Sequence, residues 1–195
     1  MNLNSDLNTN YIQEAQTKLV MPSFSAFEAT LLGSILLSCT WFGMMYFTAV
    51  VMMPGFAAVL SDKEFLVSFK AIDNIFQQMP FLVALPCMGS LLIVTTATFL
   101  GNKERKKGNV SVRLNLLYAA LALYISGFIT TGVFNITLNN QLQSMDLENM
   151  SDDELYDERL AFEAPWNFWN VYRVVTELIT CSCLILVLFF YERYG

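Results

Sequence analysis

Four side chains in the last third of the chain are of types that bind or transform small molecules. Trp166, Asn170, Arg173 and Glu177 follow an i, i+4, i+7, i+11 pattern, which places them on one face of a helix. A guanidinium stabilises a developing oxyanion and a carboxylate accepts a proton, so Arg173 and Glu177 are candidate catalytic residues. Trp166 and Asn170 are candidate substrate-binding residues beside them.

A second polar stripe precedes this one. Asn135 and Asn139 are four residues apart and share a helix face, which Thr131 extends. One apolar segment ends near Asn135 and the next begins near Trp166, so both stripes are expected at the same end of neighbouring helices. Asn135 and Asn139 are therefore further substrate-binding candidates. A pocket with aromatic walls, carboxamides and one cation suits a flat molecule with an anionic or phenolic oxygen.

The elements that position these residues are predicted to cross a membrane. Hydrophobic residues make up 55% of the 195 and charged residues 14%, which is too little charge to cover a soluble domain. Four apolar runs reach about the 20 residues that a membrane crossing needs. The predicted fold is all-α, an integral membrane four-helix bundle over residues 26–195 with a polar tail over 1–25. The expected spans are 29–54, 81–100, 114–134 and 166–191.

Two connections carry more pattern than the others. Between spans 1 and 2, the segment 56–79 mixes charges with aromatic residues at loosely helical spacing, which predicts a short amphipathic helix. The 140–165 connection is expected to be a loop containing a short helix from Asp152 to Phe162. Ser151 would cap that helix, with Glu154 as the capping-box partner.

The charges of the connections predict the orientation of the protein. The 101–113 loop is basic, with Lys103, Arg105, Lys106, Lys107 and Arg113 against one Glu. The 140–165 connection holds eight acidic residues and only Arg159 as a basic one. Short loops rich in Lys and Arg stay on the cytoplasmic side. Both termini and the 101–113 loop are thus expected there, and the 140–165 connection on the opposite side.

Several functional classes are disfavoured by composition. The chain has no histidine, which excludes His-ligated metals, haem with an axial His and a His general base within this chain. Its four cysteines lie in apolar runs without metal-ligand spacing. No metal or cofactor is predicted, and no basic face suits nucleic acid. The expected partners are the lipid bilayer and a lipophilic small molecule.

The position of Arg173 carries the functional hypothesis. It lies about 10 Å below Trp166 by helical rise, and a charge facing lipid there costs roughly 2.5 kcal/mol or more. Arg173 is therefore expected to face the bundle, paired with Glu177, an Asn or a ligand. A scaffold interpretation stays open, in which Arg173 reaches the headgroups and the asparagines only pack helices together.

Two segments resemble signatures of the anthrone-oxygenase-like family of small membrane proteins. The first is the run Phe134-Asn135-Ile136-Thr137-Leu138-Asn139, similar to N-x-P-L-N with Thr137 where Pro is usual. The second is Trp166-Asn167-Phe168-Trp169-Asn170-Val171-Tyr172-Arg173, similar to W-x-x-W/Y-N-x-x-R. The likeness covers about residues 30–190. It implies a four-helix membrane fold and, for some members, oxidation of anthrones to anthraquinones without a metal or flavin. A histidine is implicated in such enzymes, and this chain has none.

Two functions follow from these observations. The first is a cofactor-independent oxidoreductase or oxygenase that acts on a phenolic or quinol-like molecule in a pocket between spans 3 and 4. The second is a non-catalytic accessory subunit of a larger membrane complex, or a homo-oligomer, that binds lipid, pigment or quinone. Bound phenolic compound would favour the first, and stable co-purification with a large assembly the second.

Overall fold

The computed structural model describes residues 25–105 and 111–192, and within these the regular structure is helical. The polar tail expected over 1–25 lies outside them, apart from Ser25. The helices are α1 (Ala26–Phe47), α2 (Met53–Val59), α3 (Asp62–Gln78), α4 (Pro80–Arg105), α5 (Ser111–Thr130), α6 (Ile136–Ser144) and α7 (Asp152–Glu192). Two π-helical segments, Thr48–Met52 and Thr131–Asn135, join α1 to α2 and α5 to α6.

Within the described residues, four stretches are long and apolar enough to cross a membrane, namely Ala26–Val59, Ala84–Lys103, Val112–Ser144 and Asp152–Phe190. They correspond to α1–α2 (span 1), α4 (span 2), α5–α6 (span 3) and α7 (span 4). The predicted fold class is confirmed: the protein is an all-α, multi-pass membrane protein. The amphipathic segment between spans 1 and 2 is α3, which buries Phe65, Leu66, Phe69 and Asp73.

The helices are longer than the predicted spans. Span 1 continues through Pro54, and α4 passes the predicted end of span 2 at residue 100 and continues to Arg105. The largest difference is at α7, because the short helix expected from Asp152 to Phe162 continues without a break into span 4. Ser151 and Glu154 form the predicted capping interactions, with Ser151 N donating to Glu154 Oε2 at 2.7 Å. The predicted spans end where charged residues begin along the sequence. A helix can continue beyond that point, because it ends where other groups bond its terminal N–H and C=O groups.

The four spans form a ring in chain order. Span 1 packs on spans 2 and 4, and span 3 packs on the same two. Helix α3 lies across one end of this ring and contacts α7, α6 and the start of α4. We call α3, α6, residues 145–151 and the first four turns of α7 the cap.

Buried apolar residues form three layers along the bundle. The layer farthest from the cap contains Phe27, Leu31, Val94, Ala97, Leu117, Ala120, Cys183, Leu184 and Val187. A small middle layer consists of Trp41, Cys87 and Tyr124. The cap layer contains Met53, Phe65, Leu66, Phe69, Leu142, Leu147, Leu155, Phe162 and Trp166. The few apolar residues of the middle layer leave room there for polar groups.

Arg159 joins α7 to α3 within the cap and also reaches span 1, where its Nη2 donates to the Ala57 carbonyl at 3.4 Å. Its guanidinium donates to Asp62 Oδ1 and to Glu163 Oε2, both at 2.9 Å. It also lies 4.5 Å from the centre of the Phe65 ring, within cation–π range. The side chain of Arg159 is 13% exposed, so these contacts are largely shielded from water.

We expect Arg159→Met to lower the free energy of unfolding by about 1–3 kcal/mol, because two partly shielded carboxylates lose their cation. Lys63→Met is the matched control, since Lys63 and Glu148 are 40% and 77% exposed. Its effect should stay below about 1 kcal/mol. Unfolding by SDS titration in mixed micelles measures both, and equal effects would contradict the assigned role of Arg159.

Candidate functional site

The guanidinium of Arg173 lies inside the bundle and not among the lipids. Arg173 is 6% exposed, and its Nη2 donates to Asn170 Oδ1 at 2.6 Å. Its Nη1 donates to Thr131 Oγ1 at 3.3 Å. The guanidinium therefore joins span 4 to span 3, and it uses a carboxamide and a hydroxyl as its neutral partners.

Glu177 lies one turn farther from the cap and faces the same interior. It is 5% exposed and makes no ion pair with Arg173 within 4 Å. Both residues line a cavity of about 10 Å³ together with Trp41, Cys87, Tyr124, Gly127 and Phe128. A cavity of this size holds about one water molecule. All four spans contribute to it, so the pocket expected between spans 3 and 4 lies instead at the centre of the bundle.

Five buried polar atoms in this region have no hydrogen-bond partner among the described residues. They are Ser38 Oγ, Asn135 Oδ1, Asn170 Nδ2, Arg173 Nε and Glu177 Oε1. The Ser38 hydroxyl lies beside the Glu177 carboxyl group without forming a hydrogen bond of ordinary geometry. An unpaired buried polar group costs about 1–3 kcal/mol. Such a concentration of donors and acceptors marks a place for a polar ligand or water.

The second π-helical segment turns two polar residues of span 3 towards span 4. Thr131 begins this segment and Asn135 ends it. Thr131 binds Arg173, and Asn135 Nδ2 donates to the carbonyl of Trp166 at 3.3 Å. The residues between them, Gly132 to Phe134, are exposed. Single π-turns inside α-helices are frequent at functional sites.

Both π-helical segments are followed two residues later by a residue that modifies the backbone bonding. After the first segment this residue is Pro54, which has no N–H to donate. After the second it is Thr137, whose hydroxyl donates to the Val133 carbonyl at 2.8 Å. The side chain of Thr137 thus bonds the backbone carbonyl four residues earlier.

Asn139 and Trp166 belong to a separate cluster in the cap. The indole Nε1 of Trp166 donates to Asn139 Oδ1 at 2.8 Å, and Asn139 Nδ2 donates to Asp73 Oδ1 at 2.7 Å. Neither Asn139 nor Trp166 lines the central cavity. The Trp166 ring nevertheless reaches the site, because its centre lies 5.8 Å from Arg173 Cζ, within cation–π range.

The structure thus divides the six predicted site residues into two groups. Arg173, Asn170 and Asn135 lie at the contact between spans 3 and 4, and Glu177 lines the central cavity together with Arg173. Trp166 connects this group to Asn139 in the cap. Their roles in binding or catalysis stay predictions.

Sequence reasoning missed several residues of the site. Trp41, Cys87 and Tyr124 line the cavity, but spans that are apolar all round give no signal of which side faces inward. Tyr124 donates to the carbonyl of Cys87 at 2.7 Å beside Pro86, and this bond ties span 3 to span 2. Asp73 was detectable, because it follows Phe65 and Phe69 at intervals of four on the buried face of α3.

A comparison with protein families shows which family the chain belongs to. A family model described as anthrone oxygenase matches residues 69–183, more than half of the sequence. The chain belongs to the anthrone oxygenase family. No curated protein and no solved structure matches it. The region matched by the anthrone oxygenase model begins at Phe69 in α3 and ends at Cys183. It therefore includes Asp73 of the cap and the polar residues of spans 3 and 4 near the cavity, which we call the Arg173 site: Thr131, Asn135, Asn170, Arg173 and Glu177.

Gly127 of this anthrone oxygenase family member allows spans 3 and 4 to approach at the cavity. A Cβ atom at Gly127 would lie 3.1 Å from Thr176 Oγ1, whereas one at Gly132 would meet no atom within 4 Å. The hydroxyl of Thr176 donates to the carbonyl of Arg173. Displacement of Thr176 would therefore disturb the turn that carries the guanidinium.

We expect Gly127→Ala to lower the free energy of unfolding by about 1 kcal/mol through overpacking. The matched control Gly132→Ala should leave it unchanged or raise it by about 0.5 kcal/mol, because alanine restricts the unfolded chain. SDS titration again provides the measurement. If Gly127→Ala were as stable as Gly132→Ala, close approach at Gly127 would not be a constraint on the site.

Proposed function

We propose that this protein is a membrane-embedded oxygenase that needs no resident cofactor and oxidises a phenolic or quinol-like lipophilic molecule. Membership of the anthrone oxygenase family supports the reaction class. The observation that carries the proposal is the buried pair of unpaired groups at the cavity, Arg173 Nε and Glu177 Oε1. One can donate to an oxyanion and the other can accept a proton.

The proposed chemistry requires an enolisable ring ketone or its phenolic tautomer. Glu177 removes a proton from the ring CH₂ or from the phenolic oxygen, and the donors of Arg173 stabilise the resulting oxyanion. This electron-rich anion reduces dioxygen, and a C–O bond forms at the ring carbon that was the CH₂ group. The peroxide then takes the proton back from Glu177 and becomes a hydroperoxide. Loss of water then gives the carbonyl. In sum, CH₂ and O₂ become C=O and H₂O, so the carbon loses four electrons and no external reductant is consumed.

The environment strengthens each of these roles. The described part of spans 1 to 4 shields Arg173 and Glu177 from water almost completely, and electrostatic interactions are stronger where water is excluded. The aromatic faces of Trp41 and Phe128 provide the apolar wall that a ring needs. In the described residues no group of three His, Cys, Asp or Glu side chains could hold a metal.

The size of the cavity requires a conformational step. A pocket for a ring-containing ligand has about 300–1,000 Å³, and this cavity has about 10 Å³. The ring can bind only if apolar side chains such as Trp41 and Phe128 move aside. Closure around the bound ring would then exclude water from the reactive anion.

The direct test is turnover of an anthrone-type ketone by the purified protein in lipid nanodiscs. Dioxygen uptake and ¹⁸O incorporation from ¹⁸O₂ into the new carbonyl are the measurements. We expect Arg173→Gln to lower kcat about 100-fold or more and Glu177→Gln about 100-fold or more. Asp157→Asn is the matched control, because Asp157 is exposed on the same helix, and its kcat should equal that of the wild type. Treatment with EDTA should leave turnover intact.

Full turnover in both Arg173→Gln and Glu177→Gln would rule out this mechanism. Absence of turnover in the wild type, together with stable co-purification with a larger assembly, would favour the accessory-subunit function instead. Label recovered only in water or peroxide would indicate a quinol oxidase and not an oxygenase.

We also propose that the cap faces away from the cytoplasm. The support is the difference in charge between the two ends of the bundle. The 101–113 connection is basic, whereas the first turn of α7, in the cap, holds Asp152, Asp153 and Glu154. Basic connections stay on the cytoplasmic side. A cysteine introduced at Asp153 should react with a membrane-impermeant maleimide added to intact cells. The native cysteines provide the background in the unsubstituted protein. Labelling only after the membrane is permeabilised would reverse the orientation.

A further inference from the structure

Asp73 is a buried carboxylate held by neutral groups alone. It is 8% exposed and accepts from Gln77 Nε2 and Asn139 Nδ2 at 2.7 Å and from Gln143 Nε2 at 2.9 Å. No ion pair to it occurs among the described residues. The nearby Lys70 donates instead to the Met145 carbonyl at 2.7 Å. Burial of a charge without a cation reduces stability. We therefore expect the Asp73 carboxylate to have a role that an asparagine amide at the same position could not fill.

The carboxylate fixes the direction of the Asn139 carboxamide. An ionised carboxylate only accepts hydrogen bonds, so Asn139 must turn its NH₂ group towards Asp73. Its oxygen then points the opposite way and accepts from the indole N–H of Trp166 at 2.8 Å. An indole can only donate. Reversal of the Asn139 amide would therefore leave two donors facing each other.

The Trp166 indole connects the Asn139 amide to the Arg173 site, because its ring lies next to the Arg173 guanidinium. Phe69 packs edge-on against the Trp166 ring at 5.0 Å between centres, while Arg173 Cζ lies 5.8 Å from the same ring. The Trp166 carbonyl holds Asn135, whose unpaired Oδ1 is one of the atoms that mark the site. One hydrogen-bonded chain thus runs from α3 through α6 to α7.

We propose that Asp73 is a positioning residue for the Arg173 site, acting through the direction of the Asn139 amide on the Trp166 indole. Its effect on turnover rests on the proposed function, whereas its effect on the indole does not. Asp73 lies outside the cavity lining and touches neither Arg173 nor Glu177.

The test combines a spectroscopic signal with a residue exchange. The chain has three tryptophans, so its ¹⁵N-labelled indole N–H signals are few, and Trp166→Phe assigns the one of interest. In Asp73→Asn we expect this signal to move upfield and its hydrogen exchange to accelerate, because the indole loses its acceptor. Turnover should fall about tenfold, the equivalent of about one hydrogen bond.

The exchange variant Asp73→Asn/Asn139→Asp restores the donor and acceptor order. The carboxylate now on α6 would accept both from the amide now on α3 and from the Trp166 indole. This variant should recover the indole signal and most of the turnover, although Asn139→Asp alone places two carboxylates together and should not. Gln143→Met is the control, because it removes one donor to Asp73 without reversing Asn139. Its indole signal and turnover should match those of the wild type.

An unchanged Trp166 signal in Asp73→Asn, or no recovery in the exchange variant, would overturn the proposal. So would a shifted indole signal with unchanged turnover, since the hydrogen-bonded chain would then not position the site. If the wild type turns over no anthrone-type ketone, the proposed function fails. In that case the indole signals alone decide whether Asp73 orients Trp166.

Discussion

The structure depends on the accommodation of one guanidinium within an apolar bundle. A charge at this depth is tolerated only when other protein groups replace the water it has lost. Arg173 obtains them from Asn170 on its own helix and from Thr131 on the neighbouring one. These bonds require spans 3 and 4 to be in close contact at that level, and the absence of a side chain at Gly127 permits it. The positions of spans 1 and 2 then determine what else reaches the cation.

The same requirement explains why the polar groups lie between two apolar layers. The layer farthest from the cap packs all four spans through mainly aliphatic residues, and the cap layer packs α3 against α6 and α7 through a mixture of aromatic and aliphatic residues. Between them, unpaired donors and acceptors reduce stability. A protein retains such a region when binding or chemistry compensates for it, which agrees with membership of the anthrone oxygenase family.

Much of the fold and part of the candidate site followed from the sequence. The four apolar runs predicted the spans, and the i, i+4, i+7, i+11 spacing predicted that Asn170, Arg173 and Glu177 share a buried face, where the structure places them. Helix ends were less predictable, because hydropathy does not detect capping. The π-helical turn at Thr131–Asn135 was also beyond reach, since it depends on packing against span 4.

The remaining part of the site depends on contacts between distant segments. The spacing of Asp73 predicts its place on the buried face of α3, but its partner Asn139 is 66 residues away and no local pattern predicts that pairing. Cys87 and Tyr124 lie on spans whose apolar residues surround the helix, so only tertiary packing decides which of them face the cavity. The pattern of residues within one segment does not show which distant segment it will pack against.

The length of α7 has a consequence for where the protein works. With 41 residues it extends about 60 Å, roughly twice the thickness of a hydrocarbon layer. Its acidic beginning resists immersion, and its apolar end lies in the opposite leaflet. A rod of this kind accommodates a thinner or thicker membrane by tilting. The depth of the cavity below the headgroups is therefore set jointly by the helix and by the acyl-chain length of the host bilayer.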